Sequence, residues 1–133
     1  MGRIDIQAKR KSAGSSSLSV EDNLGITTIY SDSISTPEIN QTSLEKIKKN
    51  IRKIPVEALD LIKKSDIYEY NLKTEDDFHK KHIGFVIGKN YRTPKEVISK
   101  KEDSINLYSM CSILWKAVQE LLEKIEKLEG KGE

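Results

Sequence analysis

The feature that most restricts this chain is a row of residues near its C-terminus: Leu107, Cys111, Leu114, Val118, Leu121, Ile125 and Leu128, spaced 4, 3, 4, 3, 4 and 3. Apolar residues that alternate at three and four form one narrow stripe on a helix, the seam of a coiled coil. Glu120, Glu123, Lys124, Glu126 and Lys127 lie off the stripe, and Gly130 supplies a stop. The spacing predicts a helix over 104–129 that self-associates. Val118 and Ile125 alternate with Leu121 and Leu128, an order that by itself suits two strands. The seam therefore asks for an oligomer without fixing its copy number.

Composition agrees that the chain is not self-sufficient. Of 133 residues, 36% are hydrophobic and 33% charged, with five Tyr, two Phe and one Trp. Such a chain buries a modest core and completes it by association. A formal net charge of +2 gives no broad electrostatic case for nucleic acid or an anionic membrane, and neither is an expected partner. The basic run Lys46, Lys48, Lys49, Arg52 and Lys53 reads as a solvated helix face. Cys111 is the one cysteine, which excludes an internal disulfide; in its apolar stretch it is expected to act as a small buried hydrophobe. Met1 to Lys11 is too polar for a signal peptide, and no stretch has the length of a membrane span. A soluble protein made in a reducing cytoplasm is expected.

The chain changes character near residue 40. Before it, Gly14-Ser15-Ser16-Ser17 and Asp22-Asn23-Leu24-Gly25 are turn signals. Leu18 to Glu21 alternates, and Ile26-Thr27-Thr28-Ile29-Tyr30 is rich in β-branched and aromatic residues, so short strands are expected. A lone segment of this kind must pair with upstream sequence or with other chains. After it, Leu44, Ile47, Ile51 and Ile54 fall on one helical face, and Thr42-Ser43-Leu44-Glu45 matches a capping box. Val56, Leu59 and Ile62 suggest a second short helix after Pro55. Ile67 to Leu72 alternates as a half-buried strand, Lys73 to Lys81 is a charged loop, and His82 to Ile87 reads as a more buried strand. Thr93-Pro94-Lys95-Glu96 is a further helix start, with Thr93 as cap. The expected fold class is α+β: a short β-stranded N-terminal arm, a small helix and strand domain, and the long C-terminal helix.

Three blocks, taken in order, resemble the endosialidase-type intramolecular chaperone domains, a self-cleaving peptidase family at the C-termini of phage tailspikes, tail fibres and neck appendages. Ser43-Leu44-Glu45-Lys46-Ile47-Lys48-Lys49-Asn50-Ile51 is similar to the family's cleavage motif, a Ser followed five residues later by Lys and then Asn-Ile. His82-Ile83-Gly84 resembles its His-Ile-Gly strand. Leu107-Tyr108-Ser109-Met110, leading into Trp115-Lys116-Ala117-Val118-Gln119-Glu120-Leu121, resembles its terminal helix. The sequence departs at Leu44, where many members have Asp.

The resemblance implies two parts, the β-stranded end of a fibre or appendage stem over 1–42 and a chaperone domain over 43–133. It implies a homotrimeric coiled coil, in which Cys111, Leu114, Val118, Leu121, Ile125 and Leu128 form the interface. The trimer would align the upstream stem of the same polypeptide and then release itself by cutting between Thr42 and Ser43. Assembly would take place in the host cytoplasm; the N-terminal product would enter the virion and the chaperone fragment would leave. The implied enzyme is an autocatalytic serine peptidase of Ser-Lys type, with Ser43 as nucleophile and Lys48 as base. The contrasting reading is a trimeric receptor-binding or attachment tip that never cleaves. A membrane-tethered transcription factor using the same module is disfavoured, since no DNA-binding segment or membrane span is visible.

The chemistry makes demands on geometry. A Ser hydroxyl needs a base to take its proton, and Lys48 must first shed its own, which burial or the positive charge of Lys46 and Lys49 favours. Residues five apart on a regular helix point roughly 140° apart. Either Ser43 lies ahead of the helix in extended backbone, or Lys48 serves a neighbouring subunit. Read alone, Ser43 is a helix cap or first-turn residue. His82 is expected to be a packed strand residue and His79 an exposed loop residue. Neither has companions at ligand spacing, so no metal and no cofactor are expected. Trp115 and Tyr108 read as core or interface anchors. Gly84 and Gly88 lack the following Gly-Lys-Ser/Thr of a phosphate loop.

Overall fold

A computed structural model describes residue 31 and residues 33–130. The strands expected between Leu18 and Tyr30 lie outside the described residues. The chain divides into two units, Met1–Asn40 and Gln41–Glu133. In the first, residues 33–40 form local turns; Thr36 Oγ1 donates to Glu38 O at 3.0 Å and Asn40 Nδ2 to Glu38 Oε1 at 2.8 Å. All the elements below belong to the second, which is α+β.

Helix α1 (Ala58–Lys63) and helix α2 (Leu107–Gly130) pack together, and strand β1 (Tyr68–Tyr70) pairs antiparallel with β2 (His82–Gly84). The register sets Tyr68 against Gly84, Glu69 against Ile83 and Tyr70 against His82. Along β1 the two tyrosines are half-buried and Glu69 is exposed, the alternation of a one-sided strand. β2 is shorter and more open than its apolar run predicts: it ends at Gly84, and Ile83 is exposed. His82 is likewise exposed rather than packed.

The core is small. Ala58 of α1, Val97 from a 3₁₀ turn (Lys95–Val97), and Ile113 and Ala117 of α2 are buried, with Leu59, Leu61, Ile105 and Met110 against them. Thr93 does not cap that turn; its Oγ1 donates to Val86 O at 2.7 Å, and Pro94 stands at the cap position without a side-chain bond.

α1 has only six residues and no local cap. Its N-terminal Ala58 and Leu59 N–H groups donate to Glu120 Oε2 and Oε1 of α2 at 2.8 and 3.1 Å. At its other end Arg92 donates from Nε to Lys64 O at 2.8 Å and from Nη2 to Lys63 O at 3.4 Å. Both ends of a short helix, where backbone groups lack partners, are thus closed by distant charges whose signs suit the helix dipole.

α2 begins at Leu107, not at 104. Ile98 and Ile105 form a β-bridge, and residues 99–104 make a tight turn with Glu102 in the left-handed region (φ 60°). Asn106 then caps the helix, its Oδ1 accepting from Ser109 N–H at 2.9 Å while its carbonyl accepts from Met110 N–H at 3.0 Å. Met110, Ile113, Ala117 and Glu120 form the inward stripe. From Leu121 to Gly130 every residue is exposed.

The helix expected from Thr42 to Ile54 does not form. The chain instead makes a single 3₁₀ turn (Glu45–Ile47), capped by extended Leu44, with no side-chain cap bond from Thr42 or Ser43. Lys48 is extended (φ −118°, ψ 153°) and Asn50 left-handed (φ 55°), which breaks helical continuity. Leu44, Ile47, Ile51 and Ile54 remain exposed. An isolated short helix is marginal in water without a surface to pack on, and the second unit buries none of these four side chains.

Candidate functional site

The abortive helix is what assembles the site. Ser43 lies ahead of the 3₁₀ turn, and Lys48 lies just past it. Ile47 N–H to Leu44 O (3.2 Å) and Lys48 N–H to Glu45 O (2.9 Å) close the turn. The tightened turn, followed at once by extended backbone, carries the Lys48 side chain back over it. Lys48 Nζ lies 2.5 Å from Ser43 Oγ. A regular helix would have pointed the two apart.

Ser43 Oγ has a second partner. Tyr108, in the first turn of α2 and 65 positions along the chain, places its hydroxyl 3.0 Å from Ser43 Oγ. Lys48 Nζ donates to Ser43 Oγ; a Ser hydroxyl offers one proton and two lone pairs, so Oγ can also accept from Tyr108, and a Lys48 that has lost its proton could take the one on Oγ. Nothing in the local pattern around Tyr108 marks it as a site residue; a contact across 65 positions leaves no periodic trace. Thr42, whose carbonyl carbon the chemistry concerns, is exposed, as are Ser43 and Lys48. The arrangement can activate a hydroxyl next to its own preceding peptide bond.

The residues of the seam do not meet one another's partners within one chain. Cys111, Leu114, Val118, Leu121, Ile125 and Leu128 all lie exposed along α2, so Cys111 is not the buried hydrophobe its neighbours predict. Cys111, Leu114, Val118 and Leu122 line an apolar groove with Trp115, which is 74% exposed and so is no core anchor.

A second polar cluster occupies the β1–β2 connection. Glu75 Oε2 and Oε1 lie 2.7 and 2.8 Å from the Nε2 atoms of His79 and His82, and Glu75 Oε1 also accepts from Leu72 N–H at 2.7 Å. That backbone bond, aided by the two imidazoles and opposed by partial desolvation, holds Glu75 below the usual carboxylate range. Glu120 is held low in the same way, by Leu59 N–H first and Ala58 N–H after desolvation. Lys81 Nζ bonds Asn71 Oδ1, whose Nδ2 donates to His79 O at 3.1 Å. These bonds pin the connection; the sequence spacing showed two histidines without showing that one carboxylate gathers both. Among the described residues no helix is long and apolar enough to cross a membrane.

Residues 45–87 match the family model described as chaperone of endosialidase, by its family name a peptidase. The matched span holds Lys48, both strands and His82, and stops short of Ser43 and of α2. No curated protein and no solved structure matches the chain.

Proposed function

From the premise that residues 45–87 are an endosialidase-type chaperone segment, we propose that the chain is an intramolecular chaperone that acts on a fibre part of its own polypeptide and then cuts itself free between Thr42 and Ser43. The observation that carries this reading is the 2.5 Å approach of Lys48 Nζ to Ser43 Oγ. Lys48 takes the Ser43 proton, and Oγ attacks the Thr42 carbonyl carbon. The Thr42–Ser43 amide bond breaks, its nitrogen leaves as a protonated amine, and Thr42 becomes an ester on Oγ. Water hydrolyses the ester, which leaves Thr42 with a carboxylate and Ser43 with a free amino group.

Assembly is read from α2. Its inward stripe serves α1 and the Lys95–Val97 turn, while its seam and ten-residue end lie bare. Three copies joined along Cys111, Leu114, Val118, Leu121, Ile125 and Leu128 cover that face and hold three upstream stems in line. The cut N-terminal product goes to the virion and the chaperone fragment is discarded. Intact mass spectrometry and sedimentation of freshly made protein test both halves. A fragment beginning at Ser43 and a species of three copies are expected. A whole chain in a trimer would instead favour an attachment tip that never cleaves.

A further inference from the structure

The bond from Tyr108 to Ser43 joins the first turn of α2 to a segment 65 positions away. Tyr108 is 44% exposed, and its hydroxyl finds at 3.0 Å the one atom on which the proposed chemistry turns. Resting on the self-cleavage reading above, we infer that Tyr108 is a positioning residue through which the C-terminal helix controls Ser43.

The argument begins with the freedom of a serine. Its Oγ has three staggered positions about Cα–Cβ, and attack on the carbonyl carbon of the residue before it needs one in which Oγ leans back towards that carbonyl. Lys48 alone does not fix this. It belongs to the same short segment as Ser43, with an exposed, flexible side chain, and one bond to Oγ leaves the pair free to swing together. Tyr108 anchors Oγ from outside the segment. Its ring stands on the first turn of α2, whose start is fixed by the Asn106 cap and by Asn106 N–H donating to Val97 O at 2.8 Å. A rigid aromatic side chain on a capped helix is a firm reference point.

The donor roles are also forced. When Lys48 accepts the Ser43 proton, Oγ has only lone pairs left, so Tyr108 must be the donor. Its bond strengthens as negative charge grows on Oγ and needs no proton transfer to the tyrosine. Tyr108 therefore affects the rate without itself taking up or giving up a proton. Regulation follows from its address. Tyr108 is flanked by Leu107 and Cys111 of the seam, so the residue that holds Ser43 stands beside the face that copies of the helix would cover.

The test uses the full chain, made by cell-free translation, arrested with a translation inhibitor and shifted to buffers between about pH 6.5 and 11, a range that includes the ordinary lysine value of about 10.4. Cleavage is followed by gel, and unfolding by circular dichroism on the purified chains. Tyr108→Phe keeps the ring and deletes the hydroxyl. It is expected to slow cleavage about tenfold, the scale of one transition-state hydrogen bond, with the pH midpoint and the melting temperature of wild type. Wild-type rate in Tyr108→Phe, a displaced midpoint, or slowing in proportion to lost folded protein would each overturn the inference. Ser43→Ala is run beside it. If wild type cuts and Ser43→Ala does not, a Tyr108→Phe chain at full rate removes Tyr108 alone. If wild type stays whole, or Ser43→Ala still cuts, the self-cleavage reading itself fails and takes the positioning role with it.

Discussion

Lys48 Nζ meets Ser43 Oγ at 2.5 Å within one chain because extended Leu44 and a three-residue 3₁₀ turn, not a full helix, separate them. The pair needs no subunit exchange to form. It does sit in water, since Ser43 and Lys48 are both exposed. The contact itself forms within one chain.

Ser43→Ala removes the nucleophile and one exposed hydroxyl. The turn is closed by backbone bonds that the substitution leaves alone, so melting should be unchanged within the ±0.5 kcal/mol typical of surface changes. Mass spectrometry should find only the whole chain. A fragment beginning at residue 43 in this variant rules out Ser43 as nucleophile.

Lys48→Arg keeps the positive charge and replaces a group that can lose its proton with one that effectively cannot. Cleavage should stop while the sedimentation coefficient stays that of wild type. An arginine variant that cleaves at the normal rate assigns the base to another residue.

Leu121 and Ile125 are about half exposed in the single chain and stand mid-seam. Once covered, truncation of each to Ala should cost about 2–5 kcal/mol, repeated in every copy. The double variant should dissociate at micromolar concentration and cleave far more slowly, although Ser43 and Lys48 are untouched. Sedimentation beside a cleavage time course checks it; a monomer that cuts at wild-type rate would show that the pair needs no cover.

Glu120 accepts the two α1 N–H groups and is held below the usual carboxylate range by them. A depressed value in the folded state means that its contribution is present above the ordinary carboxylate value of about 4.3 and is lost as pH falls through the lowered one. Wild-type melting temperature should therefore drop between pH 5 and 3, about the carboxylate range. Glu120→Gln should melt a few degrees lower at pH 7 and show a shallower acid loss. A parallel acid limb in the two proteins would refute this role of Glu120.

Much of the outline was legible because it is local. The 4-3 row from Leu107 to Leu128 predicts the long helix, and Tyr68-Glu69-Tyr70 alternates as a strand should. The inward stripe of α2 was hidden, since it combines a Met, a small Ala117 and a charged Glu120, a row no apolar template picks out. The false helix after Thr42 shows the converse. Leu44, Ile47, Ile51 and Ile54 have the right period, but a period records only which residues could share a face, and here no surface lies opposite to reward it. The Ser43 and Lys48 spacing was visible, and the turn that joins them was not. Tyr108, Arg92 and Glu120 act through contacts made by folding alone, at separations where sequence keeps no record.

The clasp of Glu120 on α1 has a consequence for how copies of α2 can meet. Ala117 and Ala58 share the buried core, and one helical step on, both oxygens of Glu120 are engaged by consecutive backbone amides. Those two holds fix the rotation of α2 about its own axis. Its seam faces one set direction, as a key cut on a shaft that cannot spin, so under the proposed assembly a docking helix would be offered a single angular alignment.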